Sequence, residues 1–219
     1  MPGAADRLEF VRDGIAAAAR RAGRDPADIR LIAVTKGRTA AEIEPLIDAG
    51  HRDFGESRVQ EALAKWPALR ARHPDLRLHA IGRLQSNKAA DAVRLFDTLH
   101  SLDRLSLLDA LATEAARAGR SPRVYVQVNI GAEEQKGGCA ISDVGALVAA
   151  VRATPLTLLG LMAIPPVGVE PSPYFALLGK LARRQDVNGL SIGMSGDFQQ
   201  AAMLGATAVR VGTALFEES

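Results

Sequence analysis

Short apolar runs alternate with longer stretches of helical periodicity along the whole chain. Runs of strand character fall at 31–36 (LIAVTK), 53–56 (DFGE), 78–82 (LHAIG) and 98–102 (TLHSL). Four more follow at 123–130 (RVYVQVNI), 157–164 (TLLGLMAI), 189–195 (GLSIGMS) and 208–215 (AVRVGTAL). Between them, amphipathic patterns predict helices at 40–49, 58–72, 86–95, 104–118, 142–153, 174–185 and 197–204, and one more at about 5–22 precedes the first strand. Ser142, with Asp143 behind it, reads as a helix cap. Strands alternating with helices predict an α/β fold with a parallel sheet covered by helices. The count of eight favours a closed (β/α)8 TIM-type barrel, with the extra N-terminal helix filling the place of the missing eighth one; an open doubly wound sheet is the alternative. No linker divides residues 1–219, so a single barrel domain is expected, and the Pro-rich stretch IPPVGVEPSP at 164–173 reads as a rigid loop after the sixth strand.

Side chains alternate faces along a strand, so parity separates the barrel interior from the helix layer. Ile32, Val34 and Lys36 share one face of the first run. In the fifth, Val124, Val126 and Val128 suit packing under helices, which turns Tyr125, Gln127 and Asn129 inward. In the eighth, Val209 and Val211 suit the helix layer and leave Arg210 and Gly212 toward the axis. Lys36, Asn129, Ser195 and Arg210 are thereby expected at or near strand ends, where barrels gather their chemistry.

Composition narrows the field. With 219 residues, 47% of them hydrophobic, the chain suffices for one core and is short for two. A net charge of +2 supplies no basic stripe for nucleic acid, and Arg20, Arg21, Arg24, Arg70 and Arg72 lie among helix formers as solvated faces. Cys139 is the single cysteine, which excludes an intramolecular disulfide and predicts a thiol without special reactivity. Asp6, Glu9 and Asp13 interrupt the N-terminal region, which is therefore read as neither a secretory signal nor an anchor, and no stretch reaches the roughly 20 apolar residues of a membrane span. A soluble cytoplasmic protein is expected.

Among motifs, there is no Walker loop, dinucleotide fingerprint, His-Glu-x-x-His helix or Cys-x-x-Cys, and His51, His73, His79 and His100 lack zinc-ligand spacing. His79, inside a strand, reads as structural. What remains is a backbone phosphate site. SIGMSGD (191–197) sets Gly193, Ser195 and Gly196 between the seventh strand and a helix, and RVGTA (210–214) sets Gly212 and Thr213 at the close of the eighth. Small residues let main-chain N–H groups approach an anion, and the loops after strands seven and eight commonly hold phosphate in barrels. Opposite them, LIAVTKG ends on Lys36. An amine held over a barrel mouth, partly desolvated and near a cation, gains neutral, nucleophilic character. An amine facing an anchored phosphate suits a ligand carrying both an aldehyde and a phosphate, and pyridoxal phosphate is such a ligand.

The segments LIAVTK, AGHRDFGESRVQEALAKW, HAIGRLQSNK, LHSLDR, GLMAIPP, LSIGMSGDF and VRVGTALF, in order from about 31 to 216, resemble the YggS/PROSC family of pyridoxal-phosphate-binding homeostasis proteins, itself similar to the barrel domain of alanine racemase without that enzyme's second domain. The resemblance implies that Lys36 forms the internal aldimine, that Ser195 and the backbone at Gly212 and Thr213 hold the phosphate, and that Arg210 faces the pyridine nitrogen. Ser57, Ile81 and Met162 are further cofactor-contact candidates. Ser57 and Arg58 depart from the family's usual FGENYVQE, where asparagine and tyrosine stand, and EEQKGG (133–138), with Lys136 as a solvated loop lysine, and the ending LFEES also depart. The resemblance further implies a non-catalytic cofactor holder serving vitamin B6 and amino-acid homeostasis, with pyridoxal-phosphate-accepting enzymes as partners. Without the racemase's second domain, a monomer is expected. The alternatives are a racemase-like enzyme acting on a small amino acid, for which Tyr125 and Tyr174 make unconvincing second bases, and a barrel binding another phosphorylated metabolite.

Overall fold

The computed structural model describes residues 3–216. Its strands are β1 (Arg30–Val34), β2 (Asp53–Glu56), β3 (Arg77–Ala80), β4 (Thr98–Leu102), β5 (Arg123–Gln127), β6 (Thr157–Met162), β7 (Gly189–Ser191) and β8 (Ala208–Val211). Each pairs in parallel with the next, and β8 returns to β1, so the sheet closes into the expected eight-stranded barrel. Around it run α1 (Ala4–Arg21), α2 (Ala40–Asp48), α3 (Val59–Arg72), α4 (Ala89–Leu95), α5 (Leu105–Ala118), α6 (Val144–Arg152), α7 (Ser172–Arg184), α8 (Phe198–Met203) and the single turn α9 (Thr213–Phe216).

The hydrophobic core lies between strands and helices. Val124, Val126, Val209 and Val211 belong to it, as their parity predicts. Ile32 and Met162 are wholly buried yet stand apart from that cluster, because the register sets Ile32 beside Arg210 and Met162 beside both Gln127 and Ser191, and neighbours in a parallel ladder share a face. These side chains fill the barrel itself.

Helix α1 occupies the gap left by the missing eighth helix. Leu8, Val11, Ile15, Ala18 and Ala19 form its buried stripe, against α2, α8 and α9. Arg7 donates to the Leu215 carbonyl at 2.8 Å, and Arg24 to those of Ala202 and Ala206 at 2.5 and 2.8 Å, so the two ends of the chain are tied together.

Several boundaries differ from the sequence expectation. β1 stops at Val34, and Lys36 lies in the turn beyond it, before Gly37 at φ +70°. β5 stops at Gln127 and β6 at Met162, the latter just ahead of Pro165 and Pro166, which cannot donate to a ladder. β7 is three residues long, and β8 gives way to α9 at Thr213. Helix α7 starts earlier than expected, because Pro173 fits a first helical turn, where its missing N–H costs nothing. Residues 86–88 and 141–143 form 3-10 turns ahead of α4 and α6. Ser142 is not a cap: its hydroxyl donates to Asp143 Oδ1 at 2.9 Å, and Asp143 immediately precedes α6. Thr39 and Glu42 form the capping box of α2. Of the ending LFEES, residues 217–219 lie outside the described residues. Among the described residues, no helix is long and apolar enough to cross a membrane.

Candidate functional site

The turn after β1 is held from behind by α3. Lys65 places its ammonium 2.9 Å from the carbonyl oxygens of both Thr35 and Arg38 and 2.7 Å from Glu56 Oε1, in a pocket where only 8% of its side chain is exposed. Glu56, at the end of β2, is fully buried and accepts in addition from Thr35 Oγ1 at 2.6 Å and Trp66 Nε1 at 3.0 Å. Glu61 takes the Gly37 N–H at 2.6 Å. The carbonyls of Thr35 and Arg38, the Thr35 hydroxyl and the Gly37 amide are therefore committed to fixed partners, and the side chain between them is turned outward. That side chain is Lys36. It is exposed, makes no hydrogen bond or ion pair with any described residue, and lines a cleft of about 410 Å³ at the C-terminal mouth of the barrel. The expected desolvation of this amine is absent; what the fold supplies instead is a rigid base.

Across the cleft stand the two glycine turns. Gly193, at φ +92°, bends the chain out of β7 toward α8, and a Cβ there would lie 2.5 Å from the Ala201 Cβ. This bend brings Ser195 to the first turn of α9, where its Oγ accepts from the Gly212 and Ala214 N–H groups at 3.2 and 3.4 Å. The amides of Ser195, Gly196 and Thr213 donate to no described residue. A hydroxyl and several main-chain N–H groups thus gather around one spot, the donor set an anionic group requires.

Arg210 closes the floor. It sits within β8, not at its end, and is only 4% exposed. Its Nη1 donates to the Ser191 carbonyl at 2.7 Å and to Ser191 Oγ at 2.5 Å, and Nη2 to the Ala163 carbonyl at 3.2 Å. Burial pulls its pKa down to about 10, with Asp197 and Tyr125 opposing, so the guanidinium stays charged at neutral pH.

Of the residues singled out from sequence, Lys36, Ser57, Ile81, Ser195, Arg210, Gly212 and Thr213 line this one cleft. Met162 does not: it is wholly buried inside the barrel, and Ile164 lines the cleft in its stead. Gly82 helps to place Ser57 and Ile81, since a Cβ there would collide with the Ser57 carbonyl. Asn129 stands two residues past the end of β5, near the strand end as expected, but does not line the cleft; its amide group bonds the Glu133 backbone through both ends. Lys136 is no solvated lysine, for it ion-pairs with Glu133 at 2.5 Å and donates to the Pro165 carbonyl at 2.9 Å. Tyr125 stacks on His100 within the barrel and Tyr174 packs on α7 against the core; neither lines the cleft. Cys139 is buried, and burial pushes its thiol up to about 12.

The supporting set of Glu56, Glu61, Lys65 and Trp66 was missed from sequence, although Glu61 and Lys65 stand four apart on α3, the spacing of a helical ion pair. A second cleft of about 550 Å³ opens at the opposite mouth, but three of its arginines are consumed by carboxylates, Arg30 and Arg77 by Asp53 and Arg52 by Asp75. Among the described residues, no three His, Cys, Asp or Glu gather as metal ligands.

Comparison with known proteins matches residues 8–219 to the family described as alanine racemase, N-terminal domain. A pyridoxal phosphate homeostasis protein of Pseudomonas aeruginosa is 42% identical, over 97% of this chain and 94% of that one. One of Escherichia coli is 40% identical, over 97% and 95%. Among solved structures, PipY of Synechococcus elongatus with pyridoxal phosphate bound superposes with a TM-score of 0.86 at 37% identity, covering 97% of this chain and 99% of that one.

Proposed function

The chain belongs to the pyridoxal phosphate homeostasis proteins, a family built on the alanine racemase N-terminal domain, and on that premise we propose that it holds pyridoxal 5'-phosphate in the Lys36 cleft as a Schiff base, for vitamin B6 and amino-acid homeostasis and without catalysis of its own. One observation carries the reading: an unpaired amine, an anion-binding turn and a buried guanidinium line a single cleft of about 410 Å³, within the usual range for small-molecule pockets.

The bound cofactor supplies an aldehyde and an electron-withdrawing ring. Lys36 would hold the cofactor, its exposed amine being the group that can condense with an aldehyde. Because this amine breaks no ion pair to react and stands exposed, loading and release meet little resistance, which suits a holder. The Ser195 hydroxyl and the amides of Ser195, Gly196 and Thr213 would hold the phosphate, with the Gly212 and Ala214 amides keeping Ser195 Oγ in place. Arg210, lining the same cleft, would face the ring nitrogen as a donor. A guanidinium has no acceptor, so it favours the unprotonated ring and keeps it a weak electron sink. The positions of Tyr125 and Tyr174, outside the cleft, support a holder over a racemase-like enzyme, which needs a base on each face of the substrate. Ser57, where the family usually has asparagine, lines the cleft and adds a hydroxyl to the rim. A cytoplasmic monomer that hands its cofactor to accepting enzymes completes the reading.

Absorbance tests it. The loaded protein is expected to show a visible imine band that borohydride fixes to Lys36, and Lys36→Ala to lose the band while keeping its far-UV circular dichroism. A band that persists in Lys36→Ala refutes the assignment. Deuterium exchange at the Cα of added amino acids, dependent on Lys36, would replace the holder by an enzyme.

A further inference from the structure

The interior of the barrel contains a file of polar side chains that the cofactor cleft does not use. His100 Nδ1 is 2.8 Å from Ser191 Oγ, His100 Nε2 is 3.0 Å from His79 Nδ1, and His79 Nε2 is 3.0 Å from Asp53 Oδ1. All four residues are buried, with Asp53 the most open at 6%. The file starts at Arg210, whose Nη1 reaches Ser191 Oγ, and ends at the N-terminal mouth, where Arg30 and Arg77 grip Asp53 at 2.8 and 2.6 Å. It joins two opposite faces of the molecule.

Chemistry sets the direction of every bond in it. Arginine can only donate, so Ser191 Oγ accepts from Arg210 and must turn its own proton elsewhere. The partner in reach is His100 Nδ1, which therefore accepts. A neutral imidazole with an accepting Nδ1 carries its proton on Nε2, and that proton points at His79 Nδ1. By the same step His79 carries its proton on Nε2, where the Asp53 carboxylate takes it. Burial lowers the pKa of both rings, most strongly at His100, so both are neutral at physiological pH. Tyr125 fixes the plane of His100 by stacking on it, with ring centroids 4.6 Å apart and planes 22° apart.

The orientation matters because Arg210 is a buried cation whose hydrogen-bond partners among the described residues are a hydroxyl and two carbonyls, with no carboxylate among them. A buried charge without compensation is costly. The hydrogen-bond dipoles of the file all point one way, with their negative ends toward Arg210 and their positive ends toward Asp53. Such aligned bonds polarise one another in a low-dielectric interior.

We propose that Asp53, His79, His100 and Ser191 form a one-directional hydrogen-bond relay that positions Arg210 and links its charge to the carboxylate at the opposite mouth of the barrel. The four are positioning residues acting through Arg210, and this role rests on the reading that Arg210 faces the cofactor's ring nitrogen. Breaking the file at His100 leaves the Ser191 hydroxyl without an acceptor and free to turn its proton toward the guanidinium, which loosens Arg210 and alters the ring environment from within the barrel.

Two measurements test it. The first needs no cofactor: ¹⁵N NMR of the labelled protein, with and without added pyridoxal phosphate, is expected to show His79 and His100 as neutral Nε2–H tautomers at pH 7. Either ring found as the Nδ1–H tautomer or as imidazolium overturns the relay. The second follows the pH midpoint of the visible imine band. His100→Phe, which keeps the stack on Tyr125, and His79→Leu are expected to move it in the same direction as Arg210→Gln, by about half a pH unit or more, a threefold change in proton affinity. His79→Gln, able to accept from His100 and donate to Asp53, is expected to return it most of the way. If Arg210→Gln moves the midpoint and neither His100→Phe nor His79→Leu does, the relay is refuted while the cofactor site stands. A midpoint unmoved by Arg210→Gln refutes the placement of Arg210, and the positioning role with it, whatever the tautomers.

Discussion

At residues 35–38 the turn offers two carbonyls, the Thr35 hydroxyl and an amide to a group of side chains from β2 and α3, and Lys36 is left over. The lysine that the fold buries is Lys65, with Glu56 as its counter-ion at 2.7 Å and 0% exposure of the Glu56 side chain. Removing one partner of such a pair strands the other as an uncompensated charge. Lys65→Met, which keeps the length of the stem, is therefore expected to lower stability by about 3–5 kcal/mol in urea unfolding. It should also slow growth of the imine band, since the turn carrying Lys36 loses its grip on two carbonyls. Adding Glu56→Gln should recover part of the stability, because the stranded charge is then gone. A loss below about 1 kcal/mol in the single variant would mean that Lys65 does not clamp the turn. From sequence, Lys36 was legible through its place after an apolar run and before glycine. Its support was not, because Glu56 and Lys65 look like ordinary surface residues until β2 and α3 are packed side by side.

At the scale of elements, the number and order of strands and helices were readable, while the strand ends were not. Apolar character runs on past β5, β6, β7 and β8 into residues that pack in loops, such as Val128, Ala163 and Ile192, all buried. Alternation cannot mark where the ladder stops, since a buried loop and a buried strand draw on the same residue types. The stops come from backbone: prolines after β6, and a left-handed glycine after β7. Gly193→Ala is the direct test. Alanine must hold φ +92° while its methyl presses on Ala201, at an expected cost of about 1–3 kcal/mol. Because the same bend delivers Ser195 to the Gly212 and Ala214 amides, binding of pyridoxal phosphate should weaken in parallel with the fall in melting temperature. A variant that melts lower yet binds with unchanged affinity would separate the bend from the phosphate turn.

For the molecule as a whole, the closed barrel imposes a pH dependence through its buried histidines. Burial brings the His51 pKa down to about 4, partly offset by a hydrogen bond with the Asp53 carbonyl, and lowers those of His79 and His100 as well. An unfolded imidazole titrates near 6.5. Between those values the unfolded chain binds protons that the folded chain refuses, so stability is complete above about pH 6.5 and declines as pH falls toward 4. The slope approaches roughly 1 kcal/mol per pH unit for each histidine involved. Asp53 extends the decline to lower pH. Burial would raise its carboxyl, but bonds from His79, Arg77 and Arg30 outweigh burial and hold it well below the usual range, so its contribution is present above about pH 4 and lost as acid is added. Urea midpoints measured from pH 8 to pH 5 should fall accordingly; midpoints flat across that interval would show that the three rings are not held neutral.

The fold class, the closing role of the leading helix and the cleft residues Lys36, Ser195, Arg210, Gly212 and Thr213 were legible in the sequence alone, because periodicity and small-residue turns are local properties that each segment carries with it, whereas Ser57 and Ile81 came from the family resemblance. The tertiary structure decided which polar residues share the interior. Asp53, His79, His100, Ser191 and Arg210 lie on five different strands, and only the register and curvature of a closed sheet bring them into one file. It decided as well that Met162 fills the barrel and not the cleft, and that Lys36 is exposed above a buried lysine. The hydrogen bonds of that file join residues up to 91 positions apart and depend on distances that one-dimensional spacing does not encode.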